Sequence, residues 1–165
     1  MKKLLYILLF VPLFATAQTI EDWEFQPEST DNNMSIVFPA GTLSDFAGGQ
    51  LQGFDVAGTP ISFYYNWYIS SDGDGGVGIV GADNTCDCDY AENGDELSFA
   101  ILMNGETIVM VDVNPSITYV PNSFEVVNAD LIFTIEGESV VFGCTDATYL
   151  EFNPSANIDD GSCTT

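Results

Sequence analysis

The densest grouping of chemically capable side chains is acidic: Asp72-Gly73-Asp74-Gly75-Gly76, followed by Asp83, Asp87, Asp89, Glu92, Asp95 and Glu96. Asp-x-Asp-Gly spacing lets alternate carboxylates converge on one hard cation while glycine allows the chain to turn sharply around it, which is the chemistry of a Ca²⁺ loop. The EF-hand frame is incomplete, because Gly76 occupies the third ligand position and no Glu closes the loop. Asp72 and Asp74, with help from Asp83 or Asp87, are therefore the candidate metal ligands, and Ca²⁺ the candidate cofactor. A solvated turn between two strands is the plainer reading of the same residues.

Cys86-Asp87-Cys88 sets two sulfurs two positions apart. Thiolate chemistry needs an electropositive neighbourhood, and here the neighbours are Asp83, Asp87 and Asp89. Zinc is poorly served in a chain without histidine. The expectation is a structural one: either a local Cys86–Cys88 disulfide, which requires a bend because an extended strand holds the two Cα atoms near the upper limit for bridging, or cross-pairing with the remaining cysteines.

The third constellation is aromatic. Ile61-Ser62-Phe63-Tyr64-Tyr65-Asn66-Trp67-Tyr68-Ile69 is bounded by Gly58, Pro60 and the Ser70 to Gly76 turn cluster, which predicts a strand. Strand side chains alternate, so Phe63, Tyr65, Trp67 and Ile69 share one face and Tyr64, Asn66 and Tyr68 the other. One face is core. The other is either covered by a second sheet or a long loop, or it is open, and then Tyr64, Asn66 and Tyr68 form a platform for a sugar ring.

Charge narrows the partners. The 165 residues carry 25 acids and two bases, a net charge of −23, and the bases are Lys2 and Lys3 at the extreme amino terminus. They form the positive region of a secretory signal peptide, residues 1–17, whose apolar stretch runs from Leu4 to Phe14 and whose cleavage site is Ala15-Thr16-Ala17 before Gln18. That apolar run falls short of the roughly 20 residues a bilayer span requires, so no membrane insertion is expected. Once it is removed, all 25 acids remain without a side-chain base. Such a surface repels phosphate backbones, which excludes nucleic acid as a partner. The lack of His, Lys and Arg also removes the imidazole base, the Schiff-base amine and the cationic oxyanion clamp, and no Gly-x-Ser-x-Gly elbow occurs. Only a two-carboxylate glycosidase survives by residue type.

The elements that must position these groups are strands. Leu97 to Leu102, Asn104-Gly105 and Thr107 to Val111 form a predicted hairpin around a type I′ turn. Leu131 to Ile135 and Ser139 to Phe142 flank Glu136-Gly137-Glu138 as a second, and Met34 to Phe38 and Phe124 to Val127 are further strands. No window sustains a 3.6-residue apolar period, so long helices are not expected. Seven or eight short strands predict an all-β fold, an antiparallel β-sandwich or jelly-roll over residues 18–142. After Phe142 the composition changes, and residues 143–165 make a small separate module framed by Cys144 and Cys163.

This module carries a resemblance. Gly143-Cys144-Thr145-Asp146, Asn153-Pro154 and Asp159-Asp160-Gly161-Ser162-Cys163 resemble a short disulfide repeat, often found in tandem, of large secreted and surface proteins of Bacteroidota-type bacteria. The usual pattern has Ala where this chain has Tyr149 and Asn-Tyr where it has Glu151-Phe152. The likeness covers about 21 residues, from Gly143 to Cys163. It implies that Cys144 and Cys163 are bridged, closing a loop that the chain-entropy picture values at roughly 3 kcal/mol. It also implies a parent protein that continues into further repeats and a sorting domain for type IX secretion. Asp146, Asn157, Asp159 and Asp160 are expected to cap turns, with Ca²⁺ binding as the alternative. Around Asp89 to Phe99 the preceding domain resembles, more loosely, the β-sandwich modules that accompany such repeats. The combined expectation is a secreted, non-catalytic binding or adhesion module at the cell surface or outside it, with an extracellular glycan or surface polymer as partner. The alternative is a carbohydrate-binding accessory module or glycosidase. The sequence sets no oligomeric state.

Overall fold

Period-two alternation such as that of Met34, Ile36 and Phe38 favours strands, and strands are the regular structure found. The computed structural model describes residues 31–55, 57–62, 68–82 and 90–165. Among them are eight strands, one 3-10 turn at Ser44–Phe46 and no α-helix. The strands are β1 (Asn33–Phe38), β2 (Gln50–Phe54), β3 (Gly75–Val80), β4 (Ser98–Met103), β5 (Thr107–Asn114), β6 (Phe124–Val126), β7 (Asp130–Ile135) and β8 (Glu138–Ser139). They form a three-stranded sheet, β3-β1-β6, and a five-stranded sheet, β2-β4-β5-β7-β8.

The expected all-β class is therefore found, with antiparallel pairing between all neighbouring strands of the two sheets except β1 and β6, which run parallel. Parallel neighbours need a crossover, and β6 is reached by one: the chain leaves β5 in one sheet and enters β6 in the other.

The β4–β5 hairpin follows its sequence signal. Asn104 (φ 53°) and Gly105 (φ 73°) both take the positive φ of a type I′ turn, and the Glu106 N–H donates to the Met103 carbonyl at 3.0 Å. The β7–β8 hairpin is tighter than expected. Ile135 pairs with Glu138, so its loop is Glu136-Gly137 alone, at φ 50° and 85°. The expected strand from Ser139 to Phe142 is not continued: β8 ends at Ser139, and Phe142 bridges Ile158 instead, because this stretch is diverted to the carboxyl-terminal module.

Two strands, β2 and β3, carried no clear sequence signal. β3 is half glycine, and Gly75 and Gly76, read from sequence as part of a turn, already belong to it. The described ends of the aromatic run join the two sheets at these strands. Tyr68 and Pro60 bridge β2 at Gln50 and Phe54, while Ser62 bridges β3 at Ile79. The Ile61 carbonyl accepts the Val80 N–H at 2.8 Å, and the Ile61 N–H donates to the Gly53 carbonyl at 3.0 Å.

Both sheets feed one core. Met34, Ile36 and Phe38 from β1 and Val77 and Ile79 from β3 meet Leu51, Phe99, Ile101, Met103, Val109 and Val111 from the larger sheet. Phe38 and Phe99 touch edge to face across the sheets, with centroids 5.5 Å apart. The 3-10 turn drops Phe46 against Phe133 of β7 and Phe142, at 4.5 and 5.6 Å.

The carboxyl-terminal segment is bridged between Cys144 and Cys163, as the repeat resemblance implied. It is also sewn to the larger unit. Phe142 pairs in parallel with Ile158, which is 4% exposed and belongs to the main core, while the parallel Cys144–Phe152 bridge lies within the segment itself. Cys86 and Cys88 lie outside the described residues.

Candidate functional site

Strand alternation separates the faces of the five-stranded sheet. Leu51, Phe99, Ile101, Val109 and Val111 point into the core, so Gln50, Gln52, Phe54, Ala100, Leu102, Ile108 and Met110 lie on the outer face. The register aligns Gln50 with Leu102 and Leu102 with Ile108, and Tyr68 bridges Gln50. Tyr68, Gln50, Leu102 and Ile108 thus form a row about 14 Å wide across four chain segments.

Tyr68 is the exposed end of that row, 54% accessible. Next to it in sequence, Ile69 is 2% exposed, so the predicted alternation holds at this end of the run and the outer face is open there. At the other end Ser62, which alternation puts on the same face as Tyr68, is 1% exposed, and its hydroxyl accepts the Gly53 N–H at 3.0 Å. Tyr64 and Asn66 lie outside the described residues.

The ring of Tyr68 is oriented by its neighbour. Gln50 Nε2 donates to Tyr68 Oη at 3.0 Å, which leaves the phenolic proton directed away from the amide. Nothing in the sequence marked Gln50 beforehand. The signal that could have found it is the alternation Gln50, Leu51, Gln52 ahead of Gly53, a short polar-apolar pattern easily passed over. The chemistry available is an aromatic face for sugar C–H groups beside an amide and a hydroxyl for sugar oxygens.

The acidic loop is built as a turn. The Asp72 N–H donates to Ser70 Oγ at 3.1 Å, and the Ser70 hydroxyl donates to the Asp74 carboxylate. The loop is pinned from outside by the Gly41 N–H on the Asp72 carbonyl (2.7 Å) and the Leu43 N–H on the Gly73 carbonyl (2.9 Å). Gly73 is required there: its φ is +75°, and a Cβ would sit 2.6 Å from the Ser44 nitrogen. Asp72 and Asp74 are both exposed. Asp83 and Asp87, the remaining candidate ligands, lie outside the described residues, among which no three His, Cys, Asp or Glu side chains gather as a metal site.

In the carboxyl-terminal module Asp146, Asp159 and Asp160 cap turns as expected, whereas Asn157 caps none and reaches a distant backbone group instead. Asp146 accepts the Thr148 N–H (2.9 Å) and hydroxyl (2.7 Å), Asp159 the Gly161 N–H (3.0 Å) and Asp160 the Ser162 N–H (2.9 Å). Asn157 accepts the Val141 N–H at 2.8 Å. Hydrogen bonds from Thr148 hold the Asp146 carboxyl below its usual range, and those from Ser162 do the same for Asp160. Glu151, one of the departures from the repeat pattern, is held low by the Thr165 hydroxyl, and also accepts the Thr164 hydroxyl.

No family model, curated protein or solved structure matches the chain.

Proposed function

We propose that this chain is an extracellular, non-catalytic binding module, a two-sheet β-sandwich with a disulfide-stapled appendage, whose ligand surface is the outer face of the five-stranded sheet around Tyr68. It is exported by residues 1–17 and acts in attachment at or beyond the cell surface. The observation that carries the reading is the exposed, oriented ring: Tyr68 is 54% accessible and held by Gln50 at 3.0 Å, at the margin of a face on which Gln52, Phe54, Ala100 and Leu102 are buried. An exposed aromatic fixed by a polar neighbour binds at little conformational cost, because its side-chain freedom is already spent. The ligand chemistry follows from charge. With 25 acids and no base beyond Lys3, the surface disfavours sulfated or uronic-acid polymers and leaves neutral glycans as the fitting class. Calcium binds at the Asp72–Asp74 loop in company with Asp83 or Asp87, and serves stability.

A glycan array spanning neutral and acidic saccharides tests this, with a hydrolysis screen on every retained ligand. Retention of neutral glycans without turnover is expected. Tyr68→Ala should weaken retention at least about fivefold, the 1–3 kcal/mol scale of a lost stacking contact, while Tyr68→Phe keeps most of it. Unchanged binding by Tyr68→Ala overturns the site, and product release overturns the non-catalytic reading.

A further inference from the structure

We propose that the free edge of β6 docks an extended, cationic polypeptide segment of another protein, which adds to the sheet β3-β1-β6 as a fourth strand. This surface belongs to the opposite sheet from Tyr68 and is independent of glycan binding.

Among the described residues β6 pairs with β1 alone. The Ser35 N–H donates to the Ser123 carbonyl at 3.0 Å and the Val127 N–H to the Val37 carbonyl at 2.8 Å. Backbone direction alternates along a strand, so residues 123, 125 and 127 face β1, and Phe124 and Val126 turn their N–H and C=O groups to the open edge. The same two residues present apolar side chains to solvent, Phe124 64% and Val126 47% exposed, with Glu125 exposed between them. Outward backbone groups beside exposed apolar side chains are what strand addition uses, backbone bonds giving affinity and side chains selectivity.

Charge selects the occupant. Proteins guard open edges with charge, most often lysine, and the guard here is Glu125. A second copy is opposed twice. Two-fold antiparallel pairing centred on Glu125 sets it against its own counterpart, a destabilising like-charge pair. Each copy also brings the full excess of 25 acids over two bases. A foreign strand with Lys or Arg opposite Glu125 and apolar residues opposite Phe124 and Val126 reverses both terms.

The probes are two peptides, acetyl-Thr-Val-Lys-Val-Thr-amide and the same with Glu for Lys, titrated into the ¹⁵N-labelled protein and followed by NMR. Shifts at the Phe124 and Val126 amides are expected, with the Lys peptide about fivefold tighter, the scale of one cross-strand charge pair. Glu125→Lys should invert the order of the two peptides. Val126→Pro should abolish binding and leave β1 and β3 amides in place, since the lost N–H faces outward and proline is tolerated on an edge. Equal affinity for both peptides, an unaltered order in Glu125→Lys, or shifts confined to other strands overturns the proposal. So does concentration-dependent dimerisation of the unmodified protein through β6.

Discussion

Asn157 uses both ends of its amide to hold the carboxyl-terminal module to the sheets: Oδ1 accepts the Val141 N–H at 2.8 Å and Nδ2 donates to the Ser139 carbonyl at 3.1 Å. Asn157→Ala leaves the part-buried Val141 N–H without its acceptor, and a loss of about 1–3 kcal/mol in urea unfolding is expected. Asn157→Asp, which retains the acceptor, should recover part of it. The capping carboxylates give a pH dependence of definite sign. Asp146, Asp160 and Glu151 have folded pKa values below their ordinary ones. Each therefore adds stability above the ordinary carboxylate pKa of about 4, and that contribution disappears as the pH falls through the lowered folded value. NMR titration of the Thr148 and Ser162 amides should show midpoints below about 3.9; midpoints at or above it would remove the caps from the account.

At the level of elements, the β7–β8 turn holds the one positive-φ residue among the described residues that is neither Gly nor Asn. Glu136 sits at φ 50° in a two-residue loop, a conformation that favours Asn or Gly. Glu136→Asn should raise stability by about 0.5–1 kcal/mol, read as a higher urea midpoint at unchanged slope. Glu136→Gln is the control: it removes the same charge without the turn preference and should gain less. The stapled module is the second element under test. Reduction of the Cys144–Cys163 bridge should cost it about 3 kcal/mol. Hydrogen exchange should then speed up at Gly143 and Asn153, whose N–H groups bond the Ile158 and Cys144 carbonyls, while the β4–β5 amides stay protected.

The whole molecule is dominated by unpaired acidity. With 25 acids and two terminal lysines, monovalent salt should raise the melting temperature by screening repulsion everywhere, since the Debye length falls to about 3 Å at 1 M. Calcium must exceed that effect to count as bound. Melting in 0.5 M NaCl with millimolar Ca²⁺ or with EDTA separates the two, and a site filled to a hundredfold excess over Kd adds about 2.7 kcal/mol. The doubly substituted Asp72→Asn, Asp74→Asn protein should lose most of any such shift. Equal melting temperatures leave the acidity as a solubility and salt adaptation.

Local rules were enough for part of this molecule. The all-β class, the Asn104-Gly105 turn, β1 and β6 were legible because period-two alternation and positive-φ residues act over a few neighbouring positions. The capping roles of Asp146, Asp159 and Asp160 were legible because short polar side chains reach nearby backbone, whereas the long-range tether made by Asn157 was not. The Cys144–Cys163 bridge was legible only through the resemblance of its frame. The tertiary structure decided the rest. β3 is a strand despite three glycines in six residues because β1 pairs along its whole length, which no local propensity records. The parallel β1–β6 pair joins residues about 90 positions apart and depends on a crossover between sheets. Gln50 became part of the candidate site only when Tyr68 was brought beside it, and Ile158 became core only when Asn157 tied its segment to Val141. Pairing and burial between distant segments are set by the packing of whole faces, and a face exists only once the sheets are assembled.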